Sequence, residues 1–483
     1  MSRGTYGECR ATVSRGTDAQ SRTFGWRMSR GTYAARCPTV SRGTDAQSRT
    51  FGSRVSRGTY ASAPVTASDP STPVIVAARR TAITTAGKAL ARYDVTALAA
   101  AVLRALTDDL RGLGVDEPVD DVILGNCLGP GGNPARVAAL AAGLGLGVPG
   151  LTVDRQCGSG QEAIHLAAAA VRTGSGLVLA GGVESASTAP WRMHRPTTPT
   201  GAPEPYARAP FAPKHIGDPD MGEAAENVAR VAGISRRRQD AYASRSHQRT
   251  LAAQAAGVFD AELVSVGAVE QADDRPRRLK LETLARLPAA FVPGGTVTAG
   301  NSCGISDGAA AVAVVPEAVR AAADAPGLAV RGWVRVAADP NLPGMCAAPA
   351  IETVLTRTGV PLGEVGAIEV TEAFASQLLA TTDALGLDPL DDTVRGDVDR
   401  GEVSRGGHDT RATGHAVGMS DAARVCAQGG AIALGHPWGA SGALLVVRLF
   451  SRMVRLDGPR FGVAACAIGG GQGVAMLVER VGP

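Results

Sequence analysis

Lysine is almost missing from this 483-residue chain, with three against 46 arginines, and aromatic residues make up only 4%. The lysine shortage points to a GC-rich coding bias and carries no physical argument. Long apolar runs are absent too, because every Val/Leu/Ala stretch is soon interrupted by Arg, Asp or Gly. That excludes a membrane-spanning helix and makes a cytoplasmic protein the expectation. The eight cysteines (Cys9, Cys37, Cys127, Cys157, Cys303, Cys346, Cys426 and Cys466) include no C-x-x-C pair and no Cys/His cluster at zinc spacing. Scattered cysteines in a chain of this length, with no recognisable signal peptide, read as free thiols. No Gly-rich loop opens a βαβ nucleotide fold, since "GGGQG" closes a strand near the C-terminus. No metal and no bound cofactor is implied.

The formal net charge of +4 conceals an uneven distribution. Residues 1–60 hold eleven arginines against Glu8, Asp18 and Asp45, which leaves 38 basic and 42 acidic residues in the body, a net of −4. A mildly acidic body does not mark a nucleic-acid binder. The same sixty residues repeat with a period of 27: "TVSRGTDAQSRTFG" begins at Thr12 and again at Thr39, and "SRGTY" at Ser2, Ser29 and Ser56. Solenoid repeats need an apolar face to bury against a neighbour. These units offer Arg, Ser, Gly and Thr, so residues 1–72 are expected to form a disordered tail.

From Pro73 the pattern changes. "PVIVAARRTA" reads as a strand, "DVTALAAAVLRALTDDL" as a helix, "DDVILGN" as a strand and "NPARVAALAAGLG" as a helix ending on glycine. "LTVDRQCGSG" and "GLVLAGGVES" are further strands entering glycine turns. This alternation predicts an α/β domain over residues 73–325, with a Pro-, Arg- and Ala-rich region at about 191–293 lying over it. A second α/β run over 326–483 suggests a duplicated architecture. It is interrupted at 391–423 by a polar, Gly-rich stretch that repeats the "VSRG" of the tail and is expected to be an insertion.

Three side chains could carry chemistry. Cys157 lies at a strand-to-helix junction, where unpaired N–H groups and the helix dipole favour an anion and are expected to lower the thiol pKa. The small residues after it let a substrate carbonyl approach its backbone N–H. A small cysteine packed in a tight turn would read the same way. His436, in "GGAIALGHPWGASGA", sits between Gly435 and Pro437, with Gly439, Ala440 and Ser441 leaving space around an imidazole that could take a thiol proton. Cys466, in "AACAIGGGQG", is a second thiol before a glycine loop, and Gly469 could supply a backbone N–H there. His165, His194, His215, His247, His408 and His415 fall on helical faces or in polar loops.

Taken together, "RQCGSG", "TEAFASQ", "GGAIALGHPWGASG" and "CAIGGGQG" follow the order and spacing of the thiolases, and the chain resembles that family from about Pro73 to its end, apart from the insert. "NPAR", "GGVES", "MGEAAEN" and "AGNSCGISDGAAA" add local matches. The resemblance implies a duplicated five-layer αβαβα sandwich with an inserted loop domain. It implies that an acyl-CoA acylates Cys157, that His436 activates Cys157, and that Cys466 deprotonates the methyl carbon of an incoming acetyl-CoA. Thr371, Glu372 and Gly469 would support the oxyanion and its water, while Met221, Cys303, Ala373 and Phe374 would line the substrate. Coenzyme A thioesters would be the substrates, and the protein would be a homodimer or homotetramer.

Several positions depart from the family pattern. Thr371 stands where Asn is common, and Cys303 where Ser is common. Two residues, Ala467 and Ile468, separate Cys466 from Gly469 instead of one. Either the strand bulges to restore Cys466 or the base is missing, because a one-residue shift in a strand reverses a side chain's direction. A non-catalytic thiolase-like protein that binds acyl-CoA or a partner subunit is the alternative, and a β-ketoacyl synthase relative is a further one. Synthases pair a cysteine with two histidines, and "GHPWG" is the single suitable histidine loop.

Overall fold

The strands that build the core are continuous apolar runs, the pattern expected when both faces of a sheet are covered. The computed structural model describes residues 67–268, 272–390 and 418–482. Five strands form the first sheet: β1 (Pro73–Thr81), β2 (Asp121–Gly125), β3 (Gly150–Val153), β4 (Val178–Glu184) and β5 (Ser306–Pro316), in the order β1-β5-β4-β2-β3. Strand β5 is antiparallel to β1 and β4, while β4, β2 and β3 are parallel. The second sheet repeats this plan with β6 (Gly327–Ala337), β7 (Val365–Val370), β8 (Phe461–Ile468) and β9 (Gln472–Val481), in the order β6-β9-β8-β7. Here β9 is antiparallel to β6 and β8, and β8 is parallel to β7. The position that β3 fills in the first sheet holds only a parallel bridge between Ile368 and Val425. The sheets join where β1 pairs antiparallel with β6 through Val74 with Ala329 and Ile75 with Leu328.

Helices fill three layers around these sheets. Helices α1 (Val95–Gly112) and α2 (Pro134–Ala141) cover the outer face of the first sheet through Leu98, Val102, Leu106 and Ala138. Helices α3 (Ser159–Arg172), α4 (Met221–Val231), α5 (Arg236–Ala255), α6 (Ala347–Thr358), α7 (Ala375–Ala384) and α8 (Trp438–Phe450) follow in the chain. Between the sheets lie α3 and α8, packed with Ile164, Ala168, Val446 and Val447 against residues of both. Outside the second sheet lie α6 and α7, with Ile351, Val354, Leu378 and Leu379 buried. The result is the five-layer αβαβα arrangement, with α4 and α5 in the region between β4 and β5.

The close approach of α3 and α8 requires glycine. A Cβ on Gly160 would lie 2.8 Å from the Gly439 carbonyl oxygen, and one on Gly442 would lie 2.6 Å from the Gln161 nitrogen. The "GSG" and "GASGA" stretches therefore allow the start of one helix to rest on the start of the other.

Ordered contacts begin before Pro73. Within the stretch read as tail, Pro70 and Thr72 carbonyls accept from Ala318 and Glu317 N–H groups; residues 1–66 lie outside the described residues. Of the expected insert, 391–417 also lie outside them, but its last residues belong to the body. Asp421–Arg424 forms a helical turn capped by the Ser420 hydroxyl, Ala422 is buried, and Arg424 donates to the Val365 carbonyl at 2.9 Å.

Candidate active site

Cys157 stands two residues before α3. The turn that carries it is fixed locally: Gln156 takes a left-handed conformation (φ 46°), its N–H donates to Asp154 at 2.8 Å, and the Ser159 hydroxyl donates to its carbonyl at 2.6 Å. A non-glycine residue at positive φ is uncommon, and here a set of hydrogen bonds within six residues holds it, among them one from the Arg155 N–H to Ser159 Oγ and one from the Ser159 N–H to the Gln156 carbonyl. Gly158 leaves room for Ile468, whose Cδ1 would lie 2.4 Å from a Cβ at that position. The backbone N–H groups of Cys157 and Gly469 lie close enough to the sulfur to favour the thiolate. The expected lowering of the thiol pKa is not found. Burial pushes it up to about 12, and the Glu184 and Asp154 carboxylates add to the rise, against the pull of the two N–H donors.

His436 stands two residues before α8. Gly435 precedes it at φ 112°, and a Cβ there would lie 2.1 Å from Ser306 Oγ, so this position requires glycine. The His436 N–H donates to the Gly304 carbonyl at 2.9 Å, which ties the loop to the segment preceding β5. Ser441 does more than leave space. Its Oγ lies 2.6 Å from Nδ1 and 3.1 Å from the Pro437 carbonyl. A hydroxyl has one proton; given to the Pro437 carbonyl, it leaves Oγ to accept from Nδ1–H and leaves Nε2 as the lone-pair nitrogen. Nε2 is buried and has no partner. Burial holds the imidazole pKa down at about 4, so the ring is neutral at physiological pH.

Glu184, at the end of β4, binds the two halves here. Its carboxylate accepts from the N–H groups of Cys127, Leu128 and Gly439 and from the Asn126 amide, so one buried side chain anchors the start of α8 to the first sheet.

Cys466 is fully buried on β8. Its register with β9 runs without a shift from Phe461 to Ile468, so the strand does not bulge. Cys466 shares the face of Ala464 and Ile468, packed against the α3/α8 layer, whereas Ala467 packs on the opposite side. The thiol donates to Gln161 Oε1 at 3.4 Å and lies 3.2 Å from Thr371 Oγ1. Burial again pushes its pKa up to about 12.

Thr371 and Glu372 follow β7. The Thr371 hydroxyl is engaged with Cys466, and Glu372 is fully buried, accepting from Tyr242 and Ser246 of α5 at 2.6 Å each and from Ile432 N–H at 3.2 Å. The structure thus places Glu372 as a strut between α5 and the loop leading to His436. The Ala373 carbonyl accepts from the Cys303 N–H at 3.0 Å, and Ser302 forms a bridge with Phe374. Phe374 meets Phe291 edge to face at 6.0 Å, and Phe291 covers Gly222, the neighbour of Met221 at the start of α4. Met221, Cys303, Ala373 and Phe374 therefore lie along one connected stretch of surface.

Ser441's orienting role, Glu184, Phe291 and Phe211, whose ring would lie 2.9 Å from a Cβ on Gly469, were not singled out from sequence. Glu184, Phe291 and Phe211 act through residues distant in the chain, whereas Ser441 lies within a helical turn or so of His436. "GGVES" did flag the turn that holds Glu184. Among the described residues, no three His, Cys, Asp or Glu side chains converge as ligands for a metal ion, and no helix is long and apolar enough to cross a membrane.

Comparison with known proteins places this geometry. The family model "Thiolase, N-terminal domain" matches residues 73–318, and "Thiolase, C-terminal domain" matches residues 325–480. An acetyl-CoA acetyltransferase of Pseudomonas aeruginosa is 38% identical over 426 residues, covering 84% of this chain and 99% of the relative. The crystal structure of the Bacillus anthracis acetyl-CoA acetyltransferase superposes with a TM-score of 0.73 at 32% identity, covering 85% of this chain and 99% of that one. Human mitochondrial 3-ketoacyl-CoA thiolase gives 0.71 at 31%, with the same coverage. With both halves matched by the family's two domain models, the chain belongs to the thiolase family.

Proposed function

We propose that the protein is an acyl-CoA C-acyltransferase that joins two acyl-CoA molecules, or splits a 3-oxoacyl-CoA with free coenzyme A, through an acyl group carried on Cys157. The observation that supports this best is the His436 imidazole, its Nδ1 fixed by Ser441 and its Nε2 buried without a partner, on a glycine joint that rests the start of α8 on the start of α3, which Cys157 precedes.

The free protein holds a neutral thiol and a neutral imidazole. His436 Nε2 takes the thiol proton as sulfur adds to the thioester carbon, so the charged pair exists only while the reaction proceeds. The N–H groups of Cys157 and Gly469 are donors for the oxygen of the adduct, and they are preorganised because the Gln156 turn and the β8–β9 hairpin hold them. A second acyl-CoA then loses a proton from its α-carbon to a thiol, and the carbanion displaces Cys157. Cys466 is the thiol that the sequence names for this step. The coenzyme A arm is read as running along Met221, Cys303, Ala373 and Phe374. Coenzyme A thioesters are the substrates, and the chemistry needs no resident cofactor.

A second copy of the chain fits the open edge of the first sheet. Strand β3 ends the strand order with Leu151 exposed, and Val137, Leu140 and Leu146 are exposed on or just after α2. An apolar edge strand of this kind invites pairing, which supports a homodimer or homotetramer. A cytoplasmic location is part of the same reading.

The test is an intact-protein mass spectrum after brief incubation with acetyl-CoA, with peptide mapping and a parallel acetoacetyl-CoA thiolysis assay. Acetyl on Cys157 with turnover is the expected result. Acetylation without turnover favours the non-catalytic acyl-CoA-binding reading, for which the orientation of Cys466 speaks; no acetylation overturns the acyl-enzyme.

A further inference from the structure

The carbon-acid step needs a thiol that a substrate carbon can reach, and the burial of Cys466 makes that assignment difficult. Its sulfur has no exposed surface, its S–H points at Gln161, and its other side faces the Thr371 hydroxyl. Ala467, the next residue on β8, faces the other way and carries no acid.

Cys303 is differently placed. It is half-buried, and the loop that carries it is fastened to both neighbouring parts of the site. Ser302 bridges Phe374, the Cys303 N–H donates to Ala373, and Gly304 accepts from the backbone of His436. Arg275 sits beside it. A Cβ on Gly304 would lie 2.0 Å from the guanidinium, and one on Gly435 would lie 3.2 Å from the Arg275 Cδ, so two glycines flank its slot. Burial pushes the Cys303 thiol pKa up to about 12, as it does for Cys466, but Arg275 pulls it down, and no cation acts on Cys466 in this way. Arg275 Nε is buried without a hydrogen-bond partner; burial and the neighbouring Arg277 cation lower the guanidinium pKa, against the pull of Cys303 and Asp274.

We propose that Cys303, with the Arg275 guanidinium beside it, is the thiol that moves the α-carbon proton in this enzyme in place of Cys466. The proposal rests on the acyl-enzyme reading above. As Cys157 is acylated, the bond from the acyl carbon to the coenzyme A sulfur breaks, and the leaving thiolate takes the Cys303 proton and departs as a thiol. The Cys303 thiolate, stabilised by Arg275, then takes a proton from the α-carbon of the second acyl-CoA. The carbanion forms a bond to the acyl carbon, the bond to Cys157 breaks, and Cys157 recovers its proton from His436. Cys303 ends with one proton, as it began.

The test uses the full chain and the variants Cys303→Ala, Cys303→Ser and Cys466→Ala. Three quantities are measured: acetylation of Cys157, exchange of acetyl-CoA methyl hydrogens for deuterium in D2O, and acetoacetyl-CoA thiolysis. In both Cys303 variants water must protonate the leaving thiolate, so Cys157 should still acetylate but more slowly, while exchange and thiolysis fall by roughly 10²–10⁴-fold, the usual worth of a general acid–base. Cys466→Ala should keep both within a few-fold. Serine is the informative replacement, since it restores a hydrogen bond but not an ionisable thiol; turnover retained in Cys303→Ser overturns the proposal, as does loss confined to Cys466→Ala. Arg275→Gln should slow exchange more than it slows Cys157 acetylation. If the unaltered chain does not acetylate Cys157, the acyl-enzyme reading fails first; if it acetylates without exchange, this proposal alone fails.

Discussion

The first half of the molecule places Cys157 two residues before α3, and the second half places His436 two residues before α8. The strand order behind each is the same, and glycines let the two helix starts touch. The halves differ in what surrounds the reactive atom. The thiol sits near two carboxylates, while the imidazole has one serine behind it and no partner at Nε2. Burial moves the two groups in opposite directions, the thiol up and the imidazole down, so both are neutral. The same joint, used twice, therefore presents two neutral groups, and under the proposed mechanism they become charged only during reaction, without a standing thiolate open to oxidants or alkylating agents.

This contrast can be broken from either side. Removing the nucleophile has the largest effect: Cys157→Ala should abolish the acyl adduct in the mass spectrum, and a persisting adduct on another residue would show that the first half does not carry the chemistry. His436→Asn should lower acetoacetyl-CoA thiolysis by roughly 10²–10⁴-fold, as loss of a general base does. A loss of only a few-fold would mean that the thiol does not depend on the second half.

The neutral imidazole also has a thermodynamic signature. A histidine whose folded pKa is depressed binds fewer protons when folded, so its contribution is complete above pH 6.5 and is lost as pH falls toward about 4. His436 alone would cost up to about 3 kcal/mol over that window, and denaturant midpoints should fall accordingly. His247, held down at about 3 by burial and by Arg277 and Arg275, acts in the same direction. His436→Asn should flatten the profile; an unchanged slope would mean that the ring is not held neutral.

Smaller effects sharpen the comparison. Ser441→Ala removes one hydrogen bond of about 1 kcal/mol, so kcat should fall roughly five- to ten-fold with little change in KM, and Ser441→Thr should recover part of it. Deleting residues 1–60 should leave activity and melting temperature nearly unchanged, and a marked loss in either would give the repeats a role.

Much of this design was legible in the sequence because it is local. Gly435 and Pro437 announce a fixed loop around His436, alternating apolar runs and helices indicate an α/β class, and the five layers come from the resemblance to the thiolases. What was not legible depends on distant partners. The direction of Cys466 is set by its register with β9, the thiol pKa of Cys157 by burial and then by carboxylates that include Glu184 from the end of β4, and the slot of Arg275 by Gly304 and Gly435. Thr371 could be identified as a substitution, but its engagement with Cys466 could be seen only once β7 and β8 were paired.

The placement of β9 has a consequence for how the second half folds. Its residues follow both β6 and β8 in the chain, yet the strand lies between them in the interior of the second sheet. Until it docks, those two strands stand apart with unpaired edges, and the turn at Gly469 has no second arm. Insertion of this one strand therefore closes the sheet. A chain waiting for it exposes apolar strand edges, the kind of intermediate on which chaperones act.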